Sequence, residues 1–229
     1  MVRHLIDLIL SSMALILSSP LFLLAAIGIR VSAPGPILYR AKRVGINGKV
    51  FSMYKFRTMH LNQSSFSSSI TAKNDPRVFR FGLWLRRLKI DELPQLVNIL
   101  KGEMSIVGPR PEDPQIVGKH YASEHFETLS VLPGLASPGS IYSYTHGEHM
   151  LNGNEMEECY AERLLPIKLA LDIVYVREAS FVYDIKVILR TVSVILCSAF
   201  GKSHFPDPPE MRKAIRIGSY SKIQHAHGE

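Results

Sequence analysis

The sequence predicts a helix-rich α+β fold carried on a long apolar N-terminal helix, and three observations lead there. From Leu8 to Ile29 the chain holds no charged residue over 22 positions. Apolar residues recur at helical spacing at Phe81, Leu85 and Leu88, at Leu93, Leu96, Val97 and Leu100, and again through 181–200. Two short alternating runs flank Gly45-Ile46-Asn47-Gly48, the pattern of a small β-hairpin. With 229 residues the chain suffices for one ordinary domain plus a membrane element.

Residues 1–31 read as a membrane anchor, because 22 uncharged, mostly apolar residues are enough to cross a hydrocarbon core of about 30 Å. A cleaved signal peptide would have a shorter apolar core and a small-x-small cleavage site. This run is longer and leads directly into Arg30. Arg3 precedes it, and Arg30, Arg40, Lys42 and Arg43 follow, so both flanks carry the charge that favours the cytoplasmic side. Two arrangements stay open on these residues: a kinked span, and a helix that enters the membrane, bends and returns. Ser18-Ser19-Pro20 supplies the bend. Proline removes a backbone donor and clashes with the preceding turn, and the hydroxyls can satisfy carbonyls left free.

After the anchor, Ser32-Ala33-Pro34-Gly35-Pro36 ends the helix. Ile37 to Tyr39 and Lys49 to Met59 read as the two strands, and Asn62 to Ser69 as a polar surface loop. A helix is expected over 79–88. The next begins near Pro94, which is tolerated only in a first turn, so Asp91 and Glu92 fall at or just before a helix N-terminus. Val107 to Glu112 and Leu132 to Gly139 read as loops, and 155–177 as helix. The helix over 181–200 is interrupted by Asp184, Lys186 and Arg190. Its uncharged part is too short to span, which leaves a core position or one in the membrane interface. The organisation expected is an anchor (1–31), a catalytic domain (32–200) and a loosely ordered tail (201–229).

The net charge of +7 is uneven: residues 30–110 hold fifteen Lys or Arg against four Asp or Glu. Such a segment seeks anions, whether nucleic acid, anionic lipid or a phosphorylated small molecule. Nucleic acid is disfavoured, since the basic residues flank an apolar anchor and form no recognised nucleic-acid motif. Two of the four acids are the adjacent Asp91 and Glu92. Asp91 can cap the following helix, and one carboxylate can act as a nucleophile with its neighbour as metal ligand or acid–base partner. Both roles are compatible. Arg86, Arg87 and Lys89 precede the pair. Arg110 follows between two prolines, a setting that fixes a guanidinium for bidentate phosphate recognition. Lys55 and Arg57 share an orientation if 49–59 is a strand, and would extend the same anion site. A solvated basic face is the plain alternative for all of these. Cys159 and Cys197 match no metal spacing and read as packing residues. His146-Gly147-Glu148-His149 lacks the spacing of a helical zinc motif and reads as a loop.

Together, several segments resemble the bacterial sugar transferase family of monotopic polyprenyl-phosphate phosphoglycosyl transferases. They are Pro34-Gly35-Pro36, Tyr54 to Met59, Asp75-Pro76-Arg77, Ile90 to Ser105, Val107 to Glu112, Leu171-Asp172 with Tyr175, and Asp184-Ile185. The resemblance is to the minimal catalytic form and covers nearly the whole chain. It implies transfer of sugar-1-phosphate from a nucleoside diphosphate sugar, usually a UDP-sugar, to undecaprenyl phosphate at the cytoplasmic face of the bacterial inner membrane, with Mg²⁺. It implies Asp91 as the nucleophile that forms an aspartyl-phosphosugar and Glu92 as the second acid, both as metal ligands. Lys55, Arg86 and Arg110 match phosphate-holding positions. It also implies a re-entrant anchor broken at Ser19-Pro20, amphipathic interfacial helices around the site, and contact with anionic membrane lipids. A homodimer is left open. After Pro133-Gly134-Leu135 this chain departs from many relatives, reading Ala136 to Tyr144 where they have Thr-Gly-x-Ala-Gln-Val-Asn-Gly, so the sugar donor is not implied. The competing reading is a non-catalytic module that binds anionic lipid through its basic face.

Overall fold

The computed structural model describes residues 2–61, 75–150 and 156–217. The expected surface loop at 62–69 and the end of the expected tail, 218–229, lie outside them. The first element, α1 (Val2–Ser32), is helical throughout, with Pro20 inside it. At about 1.5 Å per residue it is roughly 46 Å long. Pro20 has no N–H for the Ile16 carbonyl, and the Ser19 hydroxyl donates to that carbonyl instead at 2.8 Å. Ser18 Oγ donates to the Ala14 carbonyl at 2.5 Å. The helix thus passes its proline without orphaning an acceptor. Among the described residues α1 is the one helix long and apolar enough to cross a membrane.

One narrow face of α1 packs on the rest of the molecule, while Ile16, Leu17, Leu23, Leu24 and Val31 stand exposed. Near its start, Arg3 pairs with Asp184 at 2.6 Å and Asp7 accepts from Ser105 Oγ at 2.7 Å. Near its end, Ala25, Ile29 and Ala33 join Phe56, Phe79 and Leu85 in one apolar cluster. Both ends of α1 therefore rest on the same folded body.

The hairpin is present, with β1 (Leu38–Val44) antiparallel to β2 (Val50–Phe56) and Leu38 opposite Phe56. A 3₁₀ turn, Ile46–Gly48, joins them, with Asn47 and Gly48 at φ 54° and 74°, the left-handed region these two residues tolerate best. Ala41 and Met53 turn inward onto Leu96, Ile99 and Met104. Next come α2 (Arg80–Arg87), a 3₁₀ turn at Ile90–Glu92, and α3 (Gln95–Leu100).

A second sheet is not legible in the sequence, because its strands are too short to alternate. β3 (Ser105–Val107) ends where the loop read at 107–112 begins, and it lies parallel to β4 (Gly134–Ala136), inside the segment 132–139 read as a loop. Their backbones close to contact just beyond, where a Cβ on Gly134 would meet the Gly108 nitrogen at 2.0 Å. Between these strands runs α4 (Pro114–His120), capped by Asp113, which accepts the Gln115 N–H at 3.0 Å.

α5 (Pro138–Met150) begins where a Pro/Gly loop was expected and carries His146 and Gly147 on a helix rather than in a loop. His146 stacks on Tyr142, while the side chains of Glu148 and His149 lie outside the described residues. After α6 (Met156–Cys159) a π turn at Tyr160–Leu164 leads into α7 (Leu165–Glu178), the most buried helix. The last long helix is α8 (Phe181–Ala199), started by Ser180 capping Tyr183. It buries Asp184 and Val187 and exposes Ile185, Leu189, Val192 and Leu196.

The tail is not loose over its first part. In α9 (Met211–Ala214), Met211 and Ala214 join the α7 core, and buried Glu210 holds Arg190 at 2.7 Å and the Tyr183 hydroxyl at 2.7 Å. Burying these apolar groups and pairing the charge give the segment a reason to dock that its polar, Pro-containing composition conceals.

Candidate active site

Asp91 and Glu92 occupy the short 3₁₀ turn between α2 and α3, entered through Lys89 in a left-handed conformation (φ 56°). That kink turns both carboxylates inward, and both are buried. Neither the turn nor α3 is capped by a side chain, so Asp91 is not the helix cap that its position suggests. Its Oδ1 is instead buried without a hydrogen-bond partner.

Glu92 is the opposite case. Arg110 donates to it through both terminal nitrogens, Nη1 to Oε2 at 3.1 Å and Nη2 to Oε1. Lys55 Nζ donates to Oε1 at 3.1 Å, and Lys89 stands at 3.9 Å. Burial alone would raise the Glu92 carboxyl, but Arg110 and Lys55 hold it well below the usual range. Asp91 is raised, first by burial and then by the charge of Glu92, with Lys55, Lys89 and Arg86 opposing. Two adjacent carboxylates are thus driven apart by their surroundings, the arrangement of a site that divides roles between them.

A cavity of about 620 Å³ adjoins the pair, within the size range of ligand pockets. Lys55, Lys89, Glu92 and Arg110 form its charged wall. Asp91 lies beside that wall rather than in it, so a reaction there must bare its Oδ1.

The remaining predicted residues separate. Lys55, near the end of β2, faces the cavity; burial lowers its pKa, with Glu92 opposing. Arg86 does not line the cavity; its charge favours the ionised Asp91, and it donates Nε to Thr58 Oγ1 at 2.8 Å. Arg57 is not part of the site. β2 ends at Phe56, one residue before it, so the strand orientation shared with Lys55 is lost. Its buried guanidinium instead donates to the carbonyls of Ala33 and Pro34, both at 2.7 Å, where α1 ends. Cationic donors there satisfy carbonyls the helix leaves open.

Arg110 is fixed from beneath by residues that the sequence analysis did not assign to a site. Its backbone N–H reaches Asp172 Oδ2 at 3.2 Å, and Asp172 also accepts from Gly139 N–H at 2.8 Å and Ser137 Oγ at 3.3 Å. Burial pushes the Asp172 carboxyl up to about 6, opposed by Lys168 and these hydrogen bonds. Lys168 and the Tyr160 hydroxyl both donate to Glu112 Oε1, the latter at 2.8 Å. All three line the cavity. The signal was present: Lys168 and Asp172 stand four apart in an otherwise apolar helical stretch, where a charged pair must be satisfied by something. Ser140, Ser143 and Tyr144, from the segment that departs from the family pattern, also line the cavity.

Among the described residues no three His, Cys, Asp or Glu gather to hold a metal. A hard cation such as Mg²⁺ commonly takes only one or two carboxylates and completes its shell with water and substrate phosphate. The partnerless Asp91 oxygen fits such a ligand. Glu92 fits only by exchanging one of its cationic partners, since both of its oxygens are engaged.

Comparison with known proteins gives a consistent picture. A family model described as bacterial sugar transferase matches residues 1–198. An undecaprenyl-phosphate glucose phosphotransferase of Komagataeibacter xylinus is 38% identical over 81% of this chain and 34% of its own length. UDP-glucose:undecaprenyl-phosphate glucose-1-phosphate transferases of Escherichia coli and Caulobacter vibrioides are 33% and 35% identical, over 81% and 85% of this chain and 38% and 69% of their own. The chain thus spans little more than a third of the first two relatives.

Proposed function

The chain belongs to the bacterial sugar transferase family, and on that premise we propose that it moves sugar-1-phosphate from a nucleoside diphosphate sugar to a polyprenyl phosphate. One observation carries the reading: adjacent buried carboxylates beside a cation-lined cavity, one clamped by Arg110 and Lys55, the other keeping a partnerless oxygen. The partnerless oxygen supports Asp91 as the attacking group. Its carboxylate forms a bond to the β-phosphorus as the bond to the bridging oxygen breaks, and the nucleoside monophosphate leaves with the electron pair. An oxygen of the lipid phosphate then bonds to the same phosphorus, and the Asp91 oxygen is released as carboxylate. One diphosphate linkage is broken and one is made, so the site needs no external energy source. Arg110, Lys55 and Lys89 hold phosphate oxygens near the reaction, and the charge of Arg86 favours the ionised Asp91. Mg²⁺, when bound through Asp91 and Glu92, would offset the repulsion between a carboxylate and an anionic phosphorus.

UDP-glucose is the first donor to test, since the relatives above carry it or its glucose in their names. With that donor, Mg²⁺ and undecaprenyl phosphate, the intact chain releases UMP and the Asp91→Asn variant does not. Full activity in the variant removes the nucleophile assignment.

The same reading places α1 in the membrane as a re-entrant element that stays helical and bends at Ser19-Pro20, with the body on the cytoplasmic side against anionic lipid. Basic flanks on both sides and the contact of both helix ends with one body support it. With Cys159 and Cys197 replaced by serine, single cysteines at position 2 and at the exposed position 32 should then react with an impermeant thiol reagent only from the cytoplasmic side. Periplasmic labelling at position 2 would replace this topology with a span.

A further inference from the structure

The cavity has a second wall that the charged residues leave unexplained. α8 crosses it as a bar held at both ends. At its start Asp184 accepts from the Tyr175 hydroxyl at 2.6 Å, and at its end Arg87 donates to the Ala199 carbonyl at 3.1 Å. Between these ties Ile188, Thr191, Val192 and Ile195 face into the cavity, joined there by Leu88 from the end of α2. A neighbouring row of the same helix, Ile185, Leu189, Val192 and Leu196, is exposed. Val192 belongs to both rows. An apolar surface therefore runs without a break from the outside of the molecule to the vicinity of Lys89, Arg110 and Glu92.

An exposed apolar stripe of this length marks contact with something apolar. The cations at its inner end require something anionic. Tyr144, with Lys89 Nζ 4.7 Å above its ring and its hydroxyl 2.9 Å from the Arg87 carbonyl, closes the inner end with a polar edge. One molecule with an apolar chain and a phosphate head satisfies both ends.

We propose that the Ile188–Ile195 face of α8 seats the first isoprene units of the polyprenyl phosphate acceptor, which enters beside Val192 with its phosphate towards Lys89 and Arg110. The proposal rests on the sugar-phosphate transfer reading and adds where the acceptor lies. A polar side chain at Ile195 should weaken the hold on the chain and leave the donor's contacts alone.

The test uses the full chain in detergent with two acceptors, undecaprenyl phosphate and a water-soluble prenyl phosphate of two isoprene units. For Ile195→Gln the KM of both acceptors should rise about tenfold while the donor KM stays within about twofold. Ile195→Leu should return both to near the original values. Val192→Gln, at the half-exposed rim, provides the same comparison should Ile195→Gln fold poorly. An unchanged KM for the short acceptor would overturn the proposal, leaving α8 as a surface that only rests on the bilayer. Equilibrium dialysis of the radiolabelled two-isoprene phosphate reads binding without turnover. Retention by the intact chain and about tenfold weaker retention by Ile195→Gln support the site even if no donor is turned over, an outcome that would count against the transfer reading alone. Equal competition by phosphatidylglycerol would mean an ordinary lipid site and overturn it.

Discussion

Arg110 grips Glu92 with both terminal nitrogens of its guanidinium, one of them at 3.1 Å, inside the wall of the cavity. Two parallel charge-assisted bonds fix orientation as well as charge, which a single ammonium cannot do. Arg110→Lys should therefore lower the rate of nucleoside monophosphate release by about 10- to 100-fold, the value of one or two such bonds. Initial rates at saturating donor measure it, and a change of less than threefold would make the fork unimportant.

Glu92→Gln leaves Lys55 and Arg110 buried beside a neutral amide. Removing one partner of a buried ion cluster commonly costs about 3–5 kcal/mol, because the remaining charge is uncompensated. The variant should unfold at a clearly lower denaturant concentration than the parent, whereas Asp91→Asn, which removes a destabilised charge, should not. Equal losses in the two variants would contradict the division of roles between the carboxylates.

Arg57 closes the C-terminal end of α1 through Ala33 and Pro34. Arg57→Leu should destabilise the chain by about 2 kcal/mol, as two charge-assisted bonds to backbone carbonyls are lost, the one to Ala33 buried. The donor KM should stay within about twofold of the parent. A large rise in that KM would return Arg57 to the substrate site.

Asp172 has a folded pKa of about 6 against an ordinary 3.8, with burial as the main cause. Between these values the folded chain holds a proton that the unfolded chain has released. Its contribution to stability is therefore fully present below pH ~4 and lost as the pH rises through about 6. At neutral pH the buried charge costs about 3 kcal/mol, at about 1.4 kcal/mol per pH unit. Chemical denaturation of parent and Asp172→Asn between pH 4 and 7 should show this slope in the parent and a flatter one in the variant.

Glu210 ties α9 back to α8 through Arg190 and Tyr183. Glu210→Ala should loosen residues 208–217 and speed amide exchange there relative to α7. Unchanged exchange would mean that Met211 and Ala214 hold the segment by themselves.

Much of the molecule was legible in the residues themselves. Twenty-two uncharged positions make an apolar helix wherever they sit, and the alternation around Gly45 to Gly48 makes a hairpin, because both signals are local. The adjacency of Asp91 and Glu92, and the excess of cations around them, are likewise properties of the chain as written. What the sequence left undecided depends on neighbours distant in the chain. Whether Asp91 caps a helix was settled by the left-handed Lys89, which turns the carboxylate inward and leaves Oδ1 partnerless. Whether Arg57 joins Lys55 was settled by where β2 stops, and the segment read as a loose tail was settled by the pocket that Glu210 finds on α8. The pairing of β3 with β4, the hold of Asp172 on Arg110 and the place of α8 over the cavity join residues tens of positions apart. Local pattern reports which groups a segment carries. Only packing decides which of them are removed from water together: burial raises both neighbouring carboxylates, and the Arg110 and Lys55 partners that packing brings to Glu92 alone keep that one firmly ionised while Asp91 stays raised.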